Sequence, residues 1–300
     1  MGLSSVEEGA QLPPLRHLSG LIAGPRPAPP EAIMSGGLLD VEGSRLMISG
    51  QAKVGKSYWA NGLTMAIASG TQFGPWKAVR PRRVLLVQME VGPTWQDIRV
   101  WEMAQGIQGP VGWADNFYHV TDRGFELGHM LGIARHCREL GIEVLCLDPL
   151  YMLHDANEDK SQEMKPILRA IDKIPVLVKI IVHHMGKQGD RGPRGTSTFD
   201  DWPDSMVYLK GNPDRLEVRA QLRNGRTPEP FVMHLAESPM RWIMGDADSP
   251  TEHLIRGLPA KAADLPDLLG VPHMVVARRL KALQEKELVV LEGGIWRPES

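Results

Sequence analysis

The stretch MISGQAKVGKSYWANGL, Met47 to Leu63, sets Gly50, Gly55, Lys56 and Ser57 in the order G-x-x-x-x-G-K-S. An apolar run, RLMISG, leads into it, and a helical pattern, SYWANGLTMAIASG, leads out and stops at Gly70. Strand, glycine-rich loop and helix in that order make a phosphate-binding loop. The glycines let backbone N–H groups wrap an anion. The start of the helix adds the positive end of its dipole. Gly50, Gln51, Ala52, Lys53, Val54, Gly55, Lys56, Ser57 and Tyr58 are therefore expected to line a nucleoside triphosphate. Lys56 is placed to reach the β- and γ-phosphates, and the Ser57 hydroxyl to ligate Mg²⁺.

Outward from this loop the chain alternates apolar runs with helical patterns. RVLLVQME, EVLCLDPL and VLVKIIVHH are apolar at both parities, separated by GHMLGIARHCREL and MKPILRAIDKI. Strands without strict alternation, spaced by helices, predict an α/β fold with a mostly parallel sheet covered on both faces. Ligands of such sheets sit beyond the carboxyl ends of the strands. Gly50, Glu90, Asp148, His183 and His184 all fall at such ends. Asp148 after four apolar residues is the metal-holding carboxylate expected with a phosphate loop. The next residue is Pro149, so the base that polarises an attacking water must come from elsewhere, and Glu90 is the candidate. One of His183 and His184 must face away from the site, and no zinc-ligand spacing accompanies them.

After His184 the pattern changes. MGKQGDRGPRGTSTFDDWPD is glycine-rich and carries Lys187, Arg191 and Arg194, cations suited to a phosphate backbone. The segment DSMVYLKGNPDRLEVRAQLRNGRTPEPFVMHL alternates with turn signals, which predicts antiparallel strands extending the sheet. Arg223 and Arg226 stand at its second turn, where an arginine could reach a neighbouring subunit's γ-phosphate.

Three domains are expected. Residues 1–34 form a proline-rich arm, 35–245 the nucleotide-binding body, and 251–300 a helix–turn–helix with a hairpin, the winged-helix pattern. Arg278, Arg279 and Lys281 load the second helix of that last unit and could meet DNA. Residues 251–300 nonetheless balance seven Lys/Arg against seven Asp/Glu. The whole chain has 300 residues, 42% of them hydrophobic, and a net charge of −2, which excludes a uniformly basic coat. Two cysteines in no C-x-x-C arrangement argue against a disulfide framework and fit a reducing, cytoplasmic setting. No apolar run is long enough for a membrane span.

Taken together, GQAKVGKS, VLLVQME, EVLCLDPL, IIVHHMGK and LRNG resemble the RecA-like hexameric replicative helicases. The likeness is nearest to plasmid RepA-type ATPases, with DnaB-type helicases further off, and it covers about residues 35–240. It implies Glu90 as catalytic glutamate, Asp148 as metal ligand, His184 as γ-phosphate sensor and Arg223 as a finger acting across a subunit boundary. It also implies ATP and Mg²⁺ as cofactors, a hexamer, and single-stranded DNA in a central channel lined by the loop after His184. Two positions depart from the pattern. Gln221 stands where DnaB-type helicases carry lysine, and Asp204 stands near where RepA-like chains place an arginine. The C-terminal unit looks like those appended to replication proteins of phages and mobile elements. A DNA-binding loader or recombination ATPase, and a winged-helix regulator with an ATPase switch, share the same motifs.

Overall fold

The computed structural model describes residues 15–184, 198–245, 254–255, 257–266, 273–285 and 287–299. The chain divides into two units, Met1–Glu31 and Ala32–Ser300. In the first, α1 (Leu18–Ile22) is capped by His17, whose ring nitrogen accepts the N–H of Ser19. The division falls after Glu31 and not at 34, because Ile33 and Met34 are fully buried in the main unit.

In the main unit the strands, in chain order, are β1 (Ala32–Met34), β2 (Leu39–Asp40), β3 (Arg45–Gly50), β4 (Gln72–Phe73), β5 (Trp76–Lys77), β6 (Val84–Gln88), β7 (Phe117–Thr121), β8 (Val144–Asp148), β9 (Val178–His184), β10 (Ser205–Asn212), β11 (Arg215–Leu222), β12 (Phe231–Glu237) and β13 (Met240–Met244). The helices among them are α2 (Lys56–Ser69), α3 (Pro93–Ala104), α4 (Met130–Leu140), α5 (Ser161–Asp172) and α6 (Thr198–Asp201). Nine strands form one sheet in the order β13-β12-β11-β10-β3-β9-β8-β6-β7. From β10 to β7 all neighbours are parallel, and β10 to β13 are antiparallel. The sequence predicts the whole segment after residue 204 as antiparallel. Its first strand, β10, instead pairs parallel with β3, and only the hairpins beyond it reverse.

The double-faced burial explains why these strands lack polar alternation. Leu46, Ile48, Val84, Leu86, Val144, Cys146, Ile180 and Val182 face one core with α2, whose Trp59 meets Phe73 edge-on at 4.9 Å. The intervening Met47, Leu85, Val87, Leu145, Leu147 and Ile181 face the other, with α4 and α5. Both cysteines are free and buried. Burial pushes the Cys137 thiol up to about 11.

Two elements carry little periodic signal in the sequence. In α3, Trp95, Ile98 and Trp101 point outward, so its apolar pattern does not mark a buried face. Every residue of β7 is only half-buried, at the edge of the sheet. Near the C-terminus, α7 (His273–Gln284) precedes a hairpin of β14 (Val289–Glu292) and β15 (Ile295–Pro298). The turn is Gly293–Gly294, both at positive φ, as a tight hairpin requires. Ala260 bridges to Trp296, and Leu254, Leu265, Val276, Leu280, Leu283 and Trp296 make a small core of their own. No described helix is long and apolar enough to cross a membrane.

Candidate active site

The parallel register brings four strand ends level. Gly50 aligns with His184 on one side and Leu209 on the other, and Gln88 aligns with Asp148. Past β3 the chain turns through Gln51–Val54, with Lys53 at φ 65° and Gly55 at φ 102°. Glycine is required at Gly50, where a Cβ would stand 2.6 Å from the Leu209 carbonyl oxygen. Gly55 caps α2 without any side-chain hydrogen bond, so the first-turn N–H groups remain open to an anion.

Lys56, nearly buried, donates to the carbonyl oxygens of Gly50 at 3.0 Å and Gln51 at 2.8 Å, and to His184 Nδ1 at 3.1 Å. Burial lowers its pKa to about 8, against the raising fields of Asp148 and Glu90. Burial, then the Lys56 charge, also lowers the pKa of His184, so the ring is neutral and its Nδ1 accepts from the ammonium. Tyr151 lies edge-on to His184 at 5.1 Å, and its hydroxyl donates to Glu90 Oε1 at 3.2 Å. Glu90 is exposed at the mouth, two residues past β6, and its carbonyl accepts from Arg123 Nε at 3.1 Å. Thus Lys56, His184, Tyr151 and Glu90 form one chain of contacts around the loop.

Asp148 is buried, and burial raises its pKa to about 6. The Ser57 hydroxyl, the Arg99 charge and the Gln88 amide favour its ionised form, while Glu90 opposes it. Gln88 Nε2 donates to Asp148 Oδ2 at 2.7 Å, and Gln88 Oε1 accepts the N–H groups of Glu90 at 2.8 Å and Val91 at 3.3 Å. Oδ1 of Asp148 has no hydrogen-bond partner. A buried carboxylate oxygen without a donor, on an acid whose charge is favoured by the hydroxyl of Ser57 in the first turn of α2, fits a divalent cation completed by phosphate oxygens. Among the described residues no cluster of three His, Cys, Asp or Glu could hold a metal by itself, and a Mg²⁺ site shared with phosphates needs none.

The sheet, the loop and these strand-end acids agree with what the sequence matches. A family model described as an AAA domain, AAA_25, covers residues 10–190, more than half of the chain. The chain belongs to the AAA_25 family. As an AAA_25 domain it is a RecA-like P-loop ATPase in the general sense of binding and hydrolysing a nucleotide. No curated protein matches the chain.

Several predicted residues of this AAA_25 chain lie elsewhere. Arg223 follows β11 and is level with Asp204, at the amino end of the parallel strands, opposite the loop. Its guanidinium donates to Asp204 Oδ1 at 2.8 Å and to the carbonyls of Asp201 and Pro203 at 3.2 Å each. It makes no contact with the loop of its own chain. His183 turns away, buried and stacked on Phe199 at 4.4 Å. Arg278 and Arg279 on α7 both approach Glu237 of β12, at 3.2 and 3.0 Å. The Arg279 side chain is only 13% exposed, so it does not stand open to DNA. Lys281 is exposed. Lys187, Arg191 and Arg194 lie outside the described residues.

Gln88, Arg99 and Tyr151 are absent from the residues singled out in the sequence. Gln88 could have been noticed as a polar residue in a fully buried strand. Tyr151 follows Asp148 by three residues and stands in a 3₁₀ turn. Arg99 had no local signal.

Proposed function

We propose that the chain is an oligomeric DNA-dependent ATPase, a replicative helicase of a phage, plasmid or mobile element, with ATP held between subunits. The supporting observation is the contact chain from Lys56 through His184 and Tyr151 to Glu90. It ties the group that binds the terminal phosphates to the group placed for the water. Glu90 sits at an open mouth, as a carboxylate must if water and a second surface are to reach it.

In this reading the loop N–H groups and Lys56 bind the phosphates. Ser57 and Asp148 would hold Mg²⁺, which supplies charge neutralisation at the β- and γ-phosphates. Gln88 keeps Asp148 aimed by holding Oδ2, while its own oxygen fixes the backbone of Glu90. Glu90 orients and polarises the attacking water. His184 would give up accepting from Lys56 and donate through a ring N–H to the γ-phosphate, and Tyr151 would carry that change to Glu90. The resemblance to RepA-type helicases supports a hexamer, with the segment after His184 on single-stranded DNA.

A second reading has its own observation. Two arginines of the winged-helix-like unit rest on Glu237 of the ATPase sheet. That contact favours a regulator in which the nucleotide state sets the freedom of the C-terminal unit. ATP turnover measured with and without single-stranded DNA, on material whose mass is determined in parallel, separates the two. The motor requires an oligomer stimulated by single strands that displaces a strand from a duplex. Turnover indifferent to single strands, with sequence-specific duplex binding, supports the regulator.

A further inference from the structure

The nucleotide site contains a cation that none of its motifs names. Arg99 lies on α3, one turn beyond Gln96 and on the same face. Tyr58 and Asn61 are spaced likewise on α2. The two pairs meet. Buried Gln96 donates through Nε2 to Asn61 Oδ1 at 3.1 Å, and Asn61 Nδ2 donates to the Ser57 carbonyl at 2.7 Å. The Arg99 guanidinium lies over the Tyr58 ring, 4.1 Å from its centroid. α3 is therefore keyed to the first turn of the phosphate-loop helix, and the guanidinium is held over the ring of the residue that follows Ser57.

Two of its donors are unspent. Nε and Nη1 of Arg99 are both buried and have no hydrogen-bond partner. The stacked ring satisfies the face of the cation and none of its N–H groups. Burying donors of a charged group without acceptors is costly, so such donors suit an anion that arrives later. The acid within reach of its field is Asp148, with which it makes no hydrogen bond and whose second oxygen is the one reserved for the metal. The anion that does arrive at the start of α2 is the phosphate chain.

We propose that Arg99 contacts a phosphate oxygen of the bound nucleotide from within the same subunit, clamped by Tyr58 for that purpose. This rests on the reading of Gly50–Ser57 as a nucleotide site. Arg99 adds to Lys56 a planar, fixed set of donors, of which Nε and Nη1 have no partner within the chain. It gives the chain a cis arginine at the site, whereas Arg223 is spent at the far end of the sheet.

The test measures binding of a fluorescent ATP analogue with Mg²⁺, and steady-state turnover, on the full chain. Wild type is compared with R99A, R99Q, R99K and K56A, with folding followed by circular dichroism and thermal midpoint. Loss of a charge-assisted hydrogen bond should weaken binding in R99A and R99Q by roughly 10- to 100-fold. R99K, which keeps the charge without the fork, should recover part of that loss. Binding by R99Q and R99K within about twofold of wild type, with K56A unable to bind, would overturn the proposal and leave Arg99 as packing for Tyr58. Equal losses in R99Q and R99K, tracking an equal fall in thermal midpoint, would overturn it too. If R99A does not fold, the near-isosteric R99Q decides. Unimpaired binding by K56A would instead remove the loop assignment on which the proposal stands.

Discussion

Replacing Asp148 by Asn should make the nucleotide-free protein behave in a way opposite to its role with nucleotide. Asp148 is fully buried and its pKa is raised from 3.8 to about 6 by that burial. A carboxyl whose folded pKa is raised binds its proton more tightly in the native state. Its contribution to stability is complete below the unfolded pKa and is lost as pH rises through the folded value. The window is therefore pH 4 to 6, and a shift of about two units corresponds to about 3 kcal/mol. Asn cannot ionise, so D148N removes this slope. Its amide has one tolerable orientation. The oxygen must accept from Gln88 Nε2, because Gln88 cannot flip without losing the N–H groups of Glu90 and Val91. The NH₂ then takes the place of Oδ1, which has no hydrogen-bond partner, and a donor left unpaired there costs about 1–3 kcal/mol at every pH. The absolute stabilities of the two proteins thus mix a gain and a loss, but their difference isolates the titration. Denaturant unfolding of both proteins without Mg²⁺ or nucleotide, at several pH values from 4 to 7, gives it directly. D148N should gain about 3 kcal/mol on wild type across that range. Adding Mg²⁺ with nucleotide should stabilise wild type and leave D148N nearly unmoved. A difference flat in pH would refute the claim that Asp148 is a buried carboxylate waiting for a cation.

Other substitutions probe the rest of the site. E90Q should retain nucleotide binding while turnover falls about 10²- to 10⁴-fold, as for a lost base; near-normal turnover moves that role to another group. G50A forces a Cβ to within 2.6 Å of the Leu209 carbonyl and should cost about 1–3 kcal/mol, read as a lower denaturation midpoint; no change would mean that β3 and β10 yield there. E237Q removes the acceptor charge shared by Arg278 and Arg279. Amide exchange in α7 should quicken while exchange in β3 stays constant, and equal protection would show that the small core of Leu254, Val276 and Trp296 holds that unit alone.

How far the sequence could be read follows from what kind of signal each residue leaves. Gly50, Glu90, Asp148 and His184 were legible because each closes an apolar run, and parallel strands end on one edge. The same logic fails where a contact is made by the tertiary fold alone. Gln88 reads as one more residue of a buried strand until β6 and β8 are set side by side. Arg99 belongs to a helix whose tryptophans point outward, so its apolar residues do not mark the face that packs on α2. Arg278 and Arg279 were read from charge as free cations, yet their partner, Glu237, lies about forty residues back on β12. The turn signal beside Arg223 corresponds to the connection between β11 and β12, which is longer than a tight hairpin because their pairing stops at Val218 and Phe231. What the sequence did not carry is that Asp204 and two carbonyls converge on Arg223.

The placement of the arginines bears on the proposal that the site is shared between subunits. Close around the loop, Lys56 and Arg99 stand against the two acids Glu90 and Asp148, whereas Lys53 and Arg123 are exposed and screened by water. The four close charges cancel. A triphosphate with its magnesium remains net negative, and phosphoryl transfer spreads further charge onto the terminal oxygens. In a half-buried site such a charge is poorly screened, so a compensating cation has to come from outside this set. Arg223 cannot fold back to supply it, because it stands at the opposite end of the sheet and is held by three hydrogen bonds. Across a subunit boundary that distance is no obstacle, but those bonds must first be exchanged. In the proposed oligomer Asp204 would then compete with the neighbouring site for Arg223. D204N should weaken the hold on Arg223 and raise turnover of the assembled protein several-fold, while R223A should lower it without changing nucleotide affinity in the isolated subunit. If D204N and R223A change turnover in the same direction, the pair is a structural tie, and the missing cation is another residue.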